Sequence, residues 1–121
     1  EGRALVAFSS DAGRTWGAPV RVDDGVAVGR VDVELLADGA AVVSWIEFAD
    51  GRNQLRVRRI DPSGVRSPAV SLAGLGEGSA AGFPRIARVE DELIFAWTDS
   101  APSGESAAGT SRVRTAVARL P

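Results

Sequence analysis

Ser9-Ser10-Asp11-Ala12-Gly13-Arg14-Thr15-Trp16 is the stretch on which the reading of this chain depends. Its pattern is S-x-D-x-G-x-T-W, and it sits between two strand-like runs, Arg3 to Phe8 and Pro19 to Val22. A short Asp side chain accepts hydrogen bonds from backbone N–H groups just ahead of it and closes an Asx-type turn. Gly13 takes a positive φ without steric cost. The hydroxyls of Ser9 and Thr15 satisfy further backbone groups of the turn. Trp16 offers a large apolar body with one N–H donor, suited to pinning a hairpin onto its neighbours. The expectation is a hairpin turn with its own internal hydrogen-bond set.

Working outward, the next strand-like runs alternate in polarity or are continuously apolar. Val31 to Leu36 alternates with acidic residues and ends at Asp38-Gly39, a hairpin signal. Ala40 to Glu47 is almost uniformly apolar, as a strand covered on both faces is. Gln54 to Ile60 alternates again, and Asp61-Pro62-Ser63-Gly64 then reads as a type I turn. That turn stands where a second S-x-D-x-G-x-T-W would fall, but it lacks the Trp. Ser67 to Leu72 is a weaker strand, and Gly74 to Gly82 reads as a loop. Phe83 to Val89, Glu92 to Asp99 and Ser111 to Leu120 are the last strands, with a small polar loop from Ser100 to Gly109. No segment keeps a helical period, so the chain is expected to be all-β.

Composition narrows the chemistry. The 121 residues are 45% hydrophobic and 25% charged, as in one globular domain. No apolar run approaches the roughly 18–20 residues of a membrane-spanning helix. A net charge of −2 gives no polyanion-binding surface, so neither nucleic acid nor membrane is an expected partner. All 14 basic residues are Arg. Cys and His are absent, which removes disulfides, thiol chemistry, Ser-His-Asp triads and His metal sites. No cofactor and no metal are expected. Tyr and Met are absent too, and Glu1 leads almost directly into a strand pattern. The expectation is a fragment or processed chain that starts further upstream.

The strands repeat. Setting Trp97 on Trp45, an offset of 52 residues, aligns Ile94-Phe95-Ala96-Trp97 with Val42-Val43-Ser44-Trp45 and Asp99 with Glu47. Four strands in such a period is the range of a β-propeller blade. On this register residues 3–23 form half a blade, 30–73 a full four-stranded antiparallel blade and 83–120 a three-stranded blade. The fold class expected is therefore a partial β-propeller of about two and a quarter blades, where a closed ring needs at least about four. Further blades, or copies of the chain itself, are the expected partners.

The filled S-x-D-x-G-x-T-W pattern, the repeat and the Phe83-Pro84-Arg85…Ala96-Trp97-Thr98-Asp99 run resemble the C-terminal part of sialidase-like, Asp-box (BNR-repeat) β-propellers. The resemblance covers nearly the whole chain. It implies that Ser9, Asp11, Gly13, Thr15 and Trp16 are a structural clasp on the face away from the ligand. It also implies a bacterial, secreted protein, extracellular or periplasmic, that binds a glycan and acts as an exo-α-sialidase when complete. The alternative is a non-catalytic propeller that scaffolds protein partners.

Sialidases bind a sugar carboxylate with arginines, since a guanidinium matches a carboxylate bidentately. Their nucleophile is a Tyr, which this chain does not contain. No catalytic residue is assigned. The resemblance places Arg30, Asp32, Glu47, Arg52, Arg85 and Asp99 toward the ligand face. Neither Arg30 nor Arg85 stands in the family's Arg-Ile-Pro motif. Asp32 and Glu34 form an acidic pair on one strand face, read as a carboxylate pair or as caps of backbone groups. Trp45 and Trp97 are read as packing between blades rather than as sugar platforms. The Arg56, Arg58, Arg59 cluster is read as a solvated sheet face.

Overall fold

A computed structural model describes residues 2–75, 82–100 and 111–119. The described residues form three antiparallel sheets and no helix. Strands β1 (Leu5–Val6) and β2 (Val20–Arg21) make a two-stranded sheet. Strands β3 (Val26–Leu35), β4 (Ala41–Ala49), β5 (Arg52–Ile60) and β6 (Val70–Leu75) make a four-stranded sheet in chain order. Strands β7 (Gly82–Val89), β8 (Glu92–Ser100) and β9 (Ser111–Arg119) make a three-stranded sheet.

Local chemistry sets the turns. Between β4 and β5, Asp50 and Gly51 take φ of 54° and 77°, the positive pair of a two-residue hairpin whose twist matches its strands. Between β3 and β4, the Gly39 N–H donates to the Leu36 carbonyl at 3.0 Å and the Asp38 carboxylate accepts the Ala40 N–H at 3.0 Å. The expected Asp38-Gly39 hairpin forms there.

The core lies in two apolar layers between sheets. Ala4 and Val22, which flank the strands of the first sheet, meet Ala41, Val43, Trp45 and Ile60 of the second. On the second sheet's other face, Val42, Ile46, Leu55 and Val57 meet Ile86, Leu93, Phe95 and Trp97 of the third. Trp45 and Trp97 thus each face the preceding sheet, so the 52-residue repeat is a repeat of packing geometry. Both indoles are buried in these layers, as expected.

Several boundaries differ from the sequence reading. β3 begins at Val26 rather than Val31, because a bulge at Gly29 and Arg30 lets the strand continue through a glycine. β6 covers Val70–Leu75 rather than 67–72, so Gly74 belongs to a strand. The first two strands are two residues each, shorter than the runs around them suggest. The cluster read as solvated is so only in part: Arg59 is exposed, but Arg58 is buried, and its guanidinium donates to the Val22 carbonyl at 2.8 Å and to the Asp24 carboxylate at 2.6 Å. The loops expected at 74–82 and 100–109 lie largely outside the described residues.

Candidate functional site

The sheets have two distinct ends. At one end lie the Ser9–Trp16 turn, the β3–β4 turn and the β5–β6 turn. There the Asp11 carboxylate accepts the Thr15 N–H at 2.9 Å, the Thr15 hydroxyl at 2.6 Å and the Ser9 hydroxyl at 2.8 Å. Ser9 Oγ accepts the Gly13 N–H at 2.8 Å, and Gly13 has φ +82°. The span bridged is four residues, further than the N–H groups just ahead of Asp11 that the sequence suggests. The Thr15 hydroxyl, its N–H and the Ser9 hydroxyl hold the Asp11 pKa down to about 2.

One sheet later, Asp61 does the same. Its carboxylate accepts the Val65 N–H, also four residues on, and the Ser63 N–H, both at 3.1 Å. Gly64 has φ +93°, and its N–H donates to the Asp61 carbonyl, as the Arg14 N–H does to the Asp11 carbonyl. The Asp61 turn therefore keeps the clasp without the Trp. The Trp is the part that departs from expectation. Trp16 is 64% exposed and pins nothing down. It borders a groove of about 610 Å³ with Phe8, Leu35, Gly39 and Pro62.

The other end carries the residues expected to face a ligand. Gly29 has φ +107° and Arg30 has φ +56°, and the register of β3 slips on both sides of Gly29. The third sheet repeats this: Phe83 has φ +53° after Gly82, with a slip between Gly82 and Arg85. A positive φ is uncommon for a non-glycine residue and strained for a bulky one. The two bulges aim their side chains at each other, and the Arg30 guanidinium lies 3.8 Å from the centroid of the Phe83 ring.

Asp32 ties the same two strands. Its carboxylate accepts the Ile86 N–H of β7 at 2.9 Å and the Val33 N–H at 2.9 Å. Arg85 stands 3.8 Å from that carboxylate with its side chain 82% exposed. Arg30, Asp32, Phe83 and Arg85 therefore form one cluster where the β3 bulge meets the start of β7.

Glu47 and Asp99 are held in other pairings. Glu47 is buried, and its carboxylate accepts the N–H groups of Asp24 and Gly25, each at 2.8 Å, and pairs with Arg56. Burial pushes its pKa up, but the Asp24 N–H, Arg56 and the Gly25 N–H outweigh that and hold it below the usual range. Such a group stays ionised and makes a poor general acid. Asp99 is buried beside Arg114 at 3.3 Å and Arg112 at 3.8 Å. Arg52 lies against Gly74 of β6.

The acidic pair read on β3 is divided by its bonding, since Asp32 serves the Ile86 amide. Among the described residues no three carboxylates converge as a metal site. No helix among them is long and apolar enough to cross a membrane. Phe83 was not anticipated in the site. The signal that finds it is the repeated Gly-x step, Gly29-Arg30 within β3 and Gly82-Phe83 at the start of β7. Searches against protein-family models, curated proteins and solved structures returned no match.

Proposed function

We propose that this chain is part of a sialidase-like, Asp-box β-propeller that binds an anionic glycan at the β3/β7 end of its sheets. The observation that carries the reading is the pair of Asp clasps. Asp11 and Asp61 each bond the N–H four residues ahead, at matching turns of successive sheets. The blade reading is further supported by the repeated Trp packing and the three antiparallel sheets in chain order.

The ligand reading rests on Arg85, whose exposed guanidinium stands beside a carboxylate it only weakly engages. A guanidinium so placed suits a sugar carboxylate. Phe83, capped on one face by Arg30, adds an apolar surface of the kind sugars stack on. Exo-α-sialidase activity of a complete protein is the further proposal, and this chain does not supply its Tyr nucleophile. One observation favours the second reading, a binding or scaffolding propeller: Glu47, Asp32 and Asp99 are all engaged in structural bonds.

Titration with sialyllactose, followed by calorimetry or by chemical-shift changes, tests the proposal. Binding should weaken about tenfold or more in Arg85→Ala, for loss of one charge-assisted contact. It should be unchanged in Asp61→Asn at the opposite end. Equal binding of neutral lactose, or no effect of Arg85→Ala, would sink it.

A further inference from the structure

One face of the second sheet is covered over only part of its width. On that face the β4 and β5 side chains Ala41, Val43, Trp45 and Ile60 are 0–3% exposed beneath the first sheet. Val33 pairs with Val43 and Leu35 with Ala41, so the β3 side chains share that face. Yet Val31, Val33 and Leu35 are 55%, 52% and 63% exposed. The cover ends between β4 and β3.

The position of the first sheet explains where the cover ends. β2 lies outward: Arg58 of β5 holds the Val22 carbonyl, and Arg66 donates to the Arg21 carbonyl at 3.2 Å. β1 lies inward, and the Gly2 carbonyl just before it accepts the Ala27 N–H of β3 at 3.2 Å. Among the described residues β1 is paired along one edge, by β2. Its other edge therefore points over the bare β3 strip. An unpaired strand edge beside an apolar strip is a template for strand addition, in which main-chain hydrogen bonds and alternate side chains act together.

We propose that Val31, Val33 and Leu35, with the inner edge of β1, are the docking site of an antiparallel pair of strands bearing alternate apolar side chains. The pair joins β1 and extends the first sheet across the strip. Strands in a sheet are about 4.8 Å apart, so two more match the width of the four-stranded sheet below. The flat face of a second copy fits less well. The first sheet forms a step on this face, about 10 Å high from the usual sheet-to-sheet spacing, and holds a flat partner away from β3. This inference does not depend on glycan binding at the other site, and its test leaves that site untouched.

The chain contains no Cys, so Val33→Cys gives a single attachment point for an environment-sensitive dye. The probe is a synthetic peptide of residues 82–100, the chain's own β7–β8 hairpin. Its Ala87, Ile94 and Ala96 share one face by register. Adding the peptide should shift the Val33→Cys dye to the blue, with saturation. A dye on Val117→Cys, an exposed site on the third sheet, should not respond. In the unlabelled chain the same peptide should slow amide exchange across residues 4–8 about tenfold, a measure that does not depend on the label. A peptide carrying Ile94→Glu and Ala96→Glu should do neither. Absence of a saturable shift together with unchanged exchange would overturn the proposal, as would an equal response at Val117→Cys. A shift that follows protein concentration without peptide would identify a second copy as the occupant and overturn it too.

Discussion

At the scale of single residues, the carboxylates decide how this fold meets acid. Asp11 has its pKa lowered from 3.8 to about 2 by hydroxyl and amide donors. Asp38 is lowered by the Ala40 N–H and Arg59, and Asp61 by the Ser63 hydroxyl and the Val65 N–H. In Asp23 burial pushes upward, but Arg21 and the Ala4 N–H outweigh it. Glu47 follows the same pattern. Every one of these shifts is downward, so each group binds its proton less readily folded than unfolded. Such groups contribute stability that is present above the unfolded pKa and is lost as pH falls through the folded one. The urea midpoint should therefore be flat above about pH 5 and decline from there toward pH 2. Asp11→Asn should lower it at pH 7 and flatten the decline. A midpoint that rises on acidification would contradict the assignment. Asp11 was legible in the sequence because its donors lie within four residues of it. Glu47 and Arg58 were not, because their partners at Asp24, Gly25 and Val22 lie more than twenty positions away. A strand that alternates apolar and Arg residues looks solvated until another sheet is laid on it.

At the scale of elements, the two Trp-bearing strands carry the packing. Trp45 and Trp97 stand at equivalent places in β4 and β8, each facing the sheet before it. Replacing either by Ala leaves a cavity in a layer with little room to collapse, and should cost about 3–5 kcal/mol by urea denaturation. Trp16→Ala removes an exposed ring and should stay within about 0.5 kcal/mol. A loss at Trp16 as large as that at Trp45 would mean the ring is covered in solution. The long strands and their turns were readable from alternation and from Asp-Gly steps. The start of β3 was not, because Gly29 interrupts the alternation while the backbone continues through it as a bulge. The same bulge aims Arg30 at Phe83, so the least readable part of the element is the part that builds the candidate site.

For the whole molecule, the question is what joins three small sheets into one body. Between the second and third sheets the answer is mainly apolar, with Asp32 and the Ile86 amide as one polar tie. Between the first and second it is more polar. The first sheet and the residues flanking it supply three buried residues, Ala4, Val22 and Asp23, too few to anchor it by apolar area alone. Arg58 fills the gap, with one end of its guanidinium on the Val22 carbonyl and the other on Asp24, while its plane lies 5.5 Å from the Trp45 ring. Removing one partner from a buried charge network costs about 3–5 kcal/mol, because the remaining groups are left desolvated. Asp24 is partly exposed, so the low end of that range applies to Arg58→Ala. The effect should also be local. Amide exchange should rise across residues 2–23, where the first sheet detaches, while β7 to β9 keep their protection. Arg58→Lys should rescue only in part, since an ammonium cannot meet the carbonyl and both carboxylate oxygens in one plane. Uniform loss of protection across all three sheets would show instead that they unfold as a single unit and that Arg58 is no specific anchor of the first.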